Sequence, residues 1–95
     1  MLRARVVVYG QVQGVNYRRE AVKKARELQV KGWIRNLSDG RVETLIVGSQ
    51  APVKKMLSWL EKGSPRSKVE KVEVTSQEEI NYNPFEEKFK INPTV

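Results

Sequence analysis

Apolar and polar residues change their spacing repeatedly along this chain, and each change marks a structural element. From Leu2 to Tyr9 the residues are rich in valine and stop at Gly10, as in a strand. The run Val6-Val7-Val8 is nearly continuous, which predicts a central strand covered on both faces. Between Tyr17 and Leu28 the period becomes helical. Tyr17, Ala21, Ala25 and Leu28 share one side, Arg19, Lys23 and Arg26 another, and Glu20 and Lys24 form a predicted i,i+4 pair. Strand character returns from Lys31 to Leu37 around Trp33 and Ile34. Ser38-Asp39-Gly40 is turn chemistry, and Arg41 to Val47 completes a hairpin. A second helix follows, with Ser49 as N-cap and Pro52 tolerated in its first turn. Val53, Met56, Leu57 and Leu60 form its apolar face, with Trp59 beside that stripe and expected to be partly buried, and Gly63 ends the helix. Beyond Gly63-Ser64-Pro65, the stretch Val69 to Thr75 alternates with charges, as a strand with one wet face does. Ile80 to Phe85 is loop-like, and Phe89 and Ile91 around Lys90 suggest a short last strand.

The resulting order, β-α-β-β-α-β with a possible extra strand, belongs to the α+β class. It predicts a ferredoxin-like sandwich: two helices on one face of a mostly antiparallel four- to five-stranded sheet. The length, 95 residues, leaves room for one domain over residues 1–95. A right-handed crossover makes the first two strands parallel, with the third between them. Their C-terminal ends then open at the same end of the sheet, about 9–10 Å apart across two strand spacings.

Composition narrows the chemistry. The formal net charge is +7 and the pI about 9.9, which favours anionic partners: phosphorylated metabolites, nucleic acid or acidic membrane surfaces. Cysteine and histidine are both absent. Disulfides, thiolate zinc sites, cysteine nucleophiles and every mechanism that uses imidazole are thereby excluded, and the serines lack their usual base. No apolar stretch approaches a membrane span, and the N-terminus lacks a signal peptide's apolar core, so the chain reads as soluble and cytoplasmic.

One stretch remains after packing is accounted for: Gly10-Gln-Val-Gln-Gly-Val-Asn-Tyr-Arg-Arg19, between the first strand and the first helix. Gly10 and Gly14 permit backbone conformations that turn successive N–H groups toward one point, and the helix N-terminus adds unpaired donors and a positive dipole end. Arg18, in the first helical turn, can offer two parallel hydrogen bonds to a phosphoryl group. Asn36, near the end of the second strand, lies across the gap. The same turn also suits tight packing alone, so the loop by itself leaves both readings open.

A second segment decides between them. "GWIRNLSDGRVETLIVG", Gly32 to Gly48, together with "GQVQGVNYR", resembles the acylphosphatase family. That family carries G-x-V-Q-G-V-x-F-R followed by G-W-V-R-N-x-x-D-G-x-V and a later glycine. The match spans most of the first half of the chain, and the helix-strand-strand remainder is also similar. Tyr17 stands in place of the usual Phe, Asn16 falls at a variable position, and Ile34 replaces Val or Ala. The resemblance implies the ferredoxin-like fold and hydrolysis of a carboxyl–phosphate anhydride to carboxylate and inorganic phosphate. It implies catalytic roles for Arg18, on the phosphate, and Asn36, on the attacking water. It implies a phosphate-binding loop from the N–H groups of Gln13, Gly14, Val15, Asn16, Tyr17 and Arg18. No cofactor and no metal are expected. Arg35 and Asp39 read as surface and turn residues, and Arg19 as a solvated helix residue.

The expected partner is a small acyl phosphate, with inorganic phosphate or a similar anion in the loop, no membrane, and a monomeric state. Acetyl phosphate, carbamoyl phosphate and 1,3-bisphosphoglycerate all suit the resemblance. Acylphosphatase-like domains also open larger carbamoyl-transfer proteins, but this chain, which runs from Met1 to just past its last strand, reads as free-standing. The alternative is a non-catalytic phosphate- or RNA-binding module of the same fold. Lys31-Gly32-Trp33 opens like an aromatic RNA-binding motif, yet Ile34-Arg35-Asn36 supplies none of the aromatics that would follow. Two tryptophans, three tyrosines and two phenylalanines furnish a poor stacking platform.

Overall fold

The computed structural model describes residues 1–95. Its elements are β1 (Leu2–Gln11), α1 (Tyr17–Glu27), β2 (Lys31–Asn36), β3 (Val42–Gly48), α2 (Gln50–Lys62), β4 (Lys68–Glu79) and β5 (Lys90–Ile91). They make one five-stranded sheet in the order β4-β1-β3-β2-β5, with antiparallel pairing everywhere except between β2 and β5. The expected ferredoxin-like arrangement is therefore observed. Val8 and Asn36 both stand opposite Val42, one from each side, so β1 and β2 reach the same end of the sheet in step.

Both helices pack on one face. Ala4, Val6, Val8, Ile34, Val42 and Ile46 rise from the sheet to meet Tyr17, Ala21 and Ala25 of α1 and Val53, Met56 and Leu60 of α2, with Phe89 closing one side. Each large side chain fully buried here contributes about 1.5–3 kcal/mol, and the two alanines let α1 approach the strands closely. Trp59 is half-buried, as its place beside the apolar stripe requires.

The opposite face departs from the expectation for Val6-Val7-Val8. β1 is central, but no second layer covers it. The sheet instead covers itself with long side chains. Arg5 and Arg35 lie over the Trp33 ring at 5.5 and 4.7 Å, and Arg41 and Lys71 lie over Tyr9 at 5.7 and 5.1 Å. Glu43 accepts from Arg5 at 3.0 Å and from Arg35 at 2.7 Å. Burial opposes its charge, yet those two guanidinium groups prevail and hold the carboxyl below its ordinary range. Beneath this sheath Val7 is only 6% exposed, so one apolar side chain on a polar face produced the continuous valine run.

Smaller departures have local causes. β1 continues past Tyr9 through Gly10 and Gln11, because β4 is longer than its apolar alternation indicates and keeps pairing with it. Two register shifts in that ladder break the period, and the outer half of β4 is polar on both sides. Ser49 occupies the N-cap position of α2 but its hydroxyl makes no capping bond. Lys24 approaches Glu27 at 3.9 Å rather than pairing with Glu20. No helix is long and apolar enough to cross a membrane.

Candidate active site

Between β1 and α1 the backbone departs from ordinary turn geometry at two residues. Gly14 has φ 73° and Asn16 φ 61°, with Val15 between them outside the left-handed region. Such alternation of hand points successive N–H groups into a shared concavity. Gly14 does this without a Cβ, and Asn is among the side chains that tolerate it best. Gly10, expected to help form the cradle, serves a different purpose. It lies inside β1, where a Cβ would collide with the Lys68 carbonyl, and so it admits the close approach of β4.

The hydrogen bonds of this loop are unevenly satisfied. Val12 N–H donates to the Gly10 carbonyl at 3.1 Å, whereas the N–H groups of Gln13, Gly14, Val15 and Asn16 reach no acceptor in the protein. The first i→i−4 bond of α1 runs from Glu20 N–H to the Asn16 carbonyl at 3.0 Å, so Tyr17, Arg18 and Arg19 precede the helical ladder. A row of donors thus faces outward at the positive end of a helix.

Gly14, Asn16, Tyr17, Arg18 and Arg19 line a cleft of about 270 Å³, which Val12 and Ile91 complete. The lining holds two arginines and no carboxylate. Arg18 is half-buried and makes no ion pair or side-chain hydrogen bond, unlike Arg3, Arg5, Arg35 and Arg41, each of which has an acidic partner. A larger cavity, about 660 Å³, lies elsewhere, between the end of α1 and Phe89.

Three contacts hold the loop from behind. Tyr17 is buried and its hydroxyl donates to the Leu60 carbonyl at 2.8 Å, satisfying one of the free carbonyls in the last turn of α2. Its ring lies 5.4 Å from that of Trp59. Burial pushes the Tyr17 phenol above its ordinary range, so it remains a neutral donor. Ser64, also buried, donates to the Val15 carbonyl at 3.0 Å. Gln13 points away from the cleft and donates to the carbonyls of Leu37 and Arg41 at 2.8 and 2.9 Å.

Asn36 is the last residue of β2. Its side chain shares a face with Ile34 and with Val42 opposite, which is the face α1 covers. Its Oδ1 is buried and accepts no hydrogen bond from the protein, a rare state for a buried polar atom. The main chain is held from outside: Val95 N–H donates to the Asn36 carbonyl at 3.2 Å, and Ser38 N–H to the Val95 carbonyl at 2.7 Å.

Of the residues singled out in the sequence, Gly14, Asn16, Tyr17 and Arg18 meet around one cleft. Val15 contributes a carbonyl tied to Ser64, Gln13 a strap to the hairpin, and Asn36 an unpaired oxygen at the same end of the sheet rather than a wall of the cleft. Arg19 is exposed, as its reading as a solvated helix residue expects, and it also borders the cleft. Val12 is the valine of the loop motif, whereas Ser64 and Ile91 carried no motif signal, since Ile91 reaches the site only by pairing with Ile34 from the far end of the chain.

Comparison with known proteins identifies the family and the fold. The acylphosphatase family model matches residues 4–91. An acylphosphatase from Chloroflexus aurantiacus is 49% identical over 82% of this chain and 85% of its own length, and one from a Roseiflexus species is 50% identical over 78% and 80%. The crystal structure of acylphosphatase from Bacillus subtilis superposes with a TM-score of 0.88 at 33% identity, covering 97% of this chain and 99% of that one. With its two motifs in order, its fold reproduced and nearly its whole length matched, the chain belongs to the acylphosphatase family.

Proposed function

We propose that this chain, as one domain over residues 1–95, hydrolyses small acyl phosphates to a carboxylate and inorganic phosphate. The observation that carries the site assignment is the cleft at the start of α1. Unpaired N–H groups and an unpartnered guanidinium converge there, with no carboxylate in the lining. The phosphoryl group lies in the Gln13–Arg18 loop, held by main-chain N–H groups and by Arg18. The Asn36 side-chain oxygen Oδ1, buried and unpaired, accepts a hydrogen bond from the attacking water and aligns it.

Little more is required. Phosphoryl transfer passes through a loose transition state with charge spread over the equatorial oxygens, so positioning and fixed donors dominate. The leaving carboxylate has a conjugate-acid pKa near ~4, by analogy with side-chain carboxyls, and departs without a general acid. Asn36 is no base at neutral pH, so the water's proton passes to a phosphate oxygen. No cluster of three or more metal-ligating side chains is assembled anywhere in the fold, and we propose a reaction independent of metal, catalysed by a cytoplasmic monomer.

The sheet face that would serve an RNA-binding module is already occupied. Trp33 is covered by Arg5 and Arg35, and Tyr9 by Arg41 and Lys71, leaving no bare ring for a base.

Hydrolysis of benzoyl phosphate in excess chelator tests the reading. The expected outcome is metal-independent turnover, lost in Arg18→Ala and in Asn36→Ala, with weakened inorganic phosphate binding in Arg18→Ala alone. A folded wild-type protein without turnover would leave the binding module as the better account. A steep pH–rate limb abolished by one Asp or Glu substitution would overturn the proton route.

A further inference from the structure

Gln13 belongs to the loop by position, yet its side chain engages another element. Its carboxamide nitrogen carries two hydrogens, and both are used, on the carbonyls of Leu37 at 2.8 Å and Arg41 at 2.9 Å. Because both partners are acceptors, only the nitrogen end of the amide fits. The two carbonyls face each other at the base of the β2–β3 hairpin, where Leu37 N–H donates to the Arg41 carbonyl at 2.8 Å. One amide therefore clasps both strands where they leave the sheet. No other hydrogen bond joins residues 12–16 to residues 36–41.

That clasp adjoins Asn36. The β2 ladder ends at Asn36, opposite Val42, and the next residue, Leu37, is one that Gln13 holds. Strand ends open locally at little cost, and Asn36 and Arg18 sit on different elements, β2 and α1. In-line attack requires the reacting atoms to meet at about 3–3.5 Å, and a displacement of about 1 Å costs up to ~10²-fold.

We propose that Gln13 is a positioning residue: its amide sets the base of the hairpin, and with it Asn36, against the loop that bears Arg18. This inference rests on the reading that Arg18 holds the phosphoryl group and Asn36 the water. Gln13 acts through Asn36 and touches no substrate with its side chain.

The test compares wild type, Gln13→Ala, Asn36→Ala and the double variant in benzoyl phosphate turnover, with inhibition by inorganic phosphate measured alongside. Gln13→Ala is expected to lower kcat on the order of tenfold to a hundredfold while leaving phosphate inhibition within about twofold, because the N–H cradle survives. In the Asn36→Ala background the same change is expected to add almost nothing, since the group it positions is gone. Gln13→Glu supplies a second readout that does not depend on Gln13→Ala folding. An ionised carboxylate cannot donate to the two carbonyls, but its protonated form can donate to one, so activity relative to wild type is expected to recover as pH falls toward about 4.

Wild-type kcat in Gln13→Ala, losses that multiply with Asn36→Ala, or a parallel loss of phosphate inhibition would each overturn the role. So would a Gln13→Glu variant with no acid recovery. A wild type that does not turn over would sink the underlying reading and this one with it. An active wild type beside an unaffected Gln13→Ala sinks the Gln13 role alone.

Discussion

The loop after β1 and the hairpin between β2 and β3 leave the same end of the sheet, and each has a glycine in the left-handed region, Gly14 at φ 73° and Gly40 at φ 98°. They differ in what becomes of their N–H groups. In the hairpin, Leu37 N–H meets the Arg41 carbonyl, Ser38 N–H the Val95 carbonyl, Gly40 N–H the Leu37 carbonyl, and Arg41 N–H the Asp39 carboxylate. Even the Arg41 side chain is paired, to Asp39 at 2.8 Å. In the loop, four successive N–H groups from Gln13 to Asn16 have no acceptor and Arg18 has no acidic neighbour. Glycine and positive charge are common to both turns. What separates a turn from a candidate anion site is the donors left over once the fold has satisfied its own groups.

Exchanging the two arginines in thought gives the largest expected effect. Arg18→Ala removes a charged donor from the cleft and is expected to lower kcat by on the order of 10²–10³-fold, the usual loss for one preorganised donor to a developing charge. Arg41→Ala removes an exposed pair of small energetic weight and keeps the backbone carbonyl that Gln13 uses, so turnover is expected to stay within about twofold. Steady-state kinetics on both variants checks the contrast, and equal losses would erase it.

The glycines sharpen the comparison at a smaller scale. A Cβ at Gly14 or at Gly40 would meet no atom within 4 Å, so alanine at either place strains the backbone alone. Each substitution is expected to cost about 1–2 kcal/mol of stability, read as a lowered Tm. Only Gly14→Ala is expected to weaken inhibition by inorganic phosphate, by roughly the tenfold that about 1.4 kcal/mol represents, because only there do neighbouring N–H directions matter to a ligand. Matching phosphate affinities in the two variants would mean that the loop's geometry is incidental.

How much of this was legible beforehand follows from where the information lies. Helix and strand periods revealed α1, β2, β3 and α2 nearly residue for residue, since their buried faces are continuous in sequence. The length of β4 was hidden, because an edge strand with exposed residues on both sides has no alternation to read. Around the site, Gly14, Arg18 and Asn36 stood out by type and motif. Asn16 at positive φ did not, although asparagine is among the few side chains that would serve there. The Gln13 clasp, the Ser64 bond to Val15 and the approach of Ile91 depend on pairings across 24, 49 and many more positions of chain, which no local pattern encodes.

Tyr17 supplies the smallest test, on the support beneath the loop rather than on its donors. Tyr17→Phe removes the hydroxyl that donates to the Leu60 carbonyl and should cost about 1 kcal/mol near neutral pH, with turnover nearly unchanged, since the ring and the family's usual shape remain. The pH dependence identifies the hydroxyl. Burial raises the Tyr17 pKa in the folded protein, while in the unfolded chain the phenol loses its proton near ~10. Above that pH the unfolded state binds fewer protons than the folded one, so stability falls with rising pH; below it this contribution is constant. Tyr17→Phe has no proton to lose there. Its stability deficit against wild type should therefore shrink as pH climbs past about 10, once the titrations the two proteins share cancel in the difference. Chemical denaturation of both proteins across that range measures it, and a deficit independent of pH would mean that Tyr17 is not the neutral, buried donor holding α1 to the end of α2.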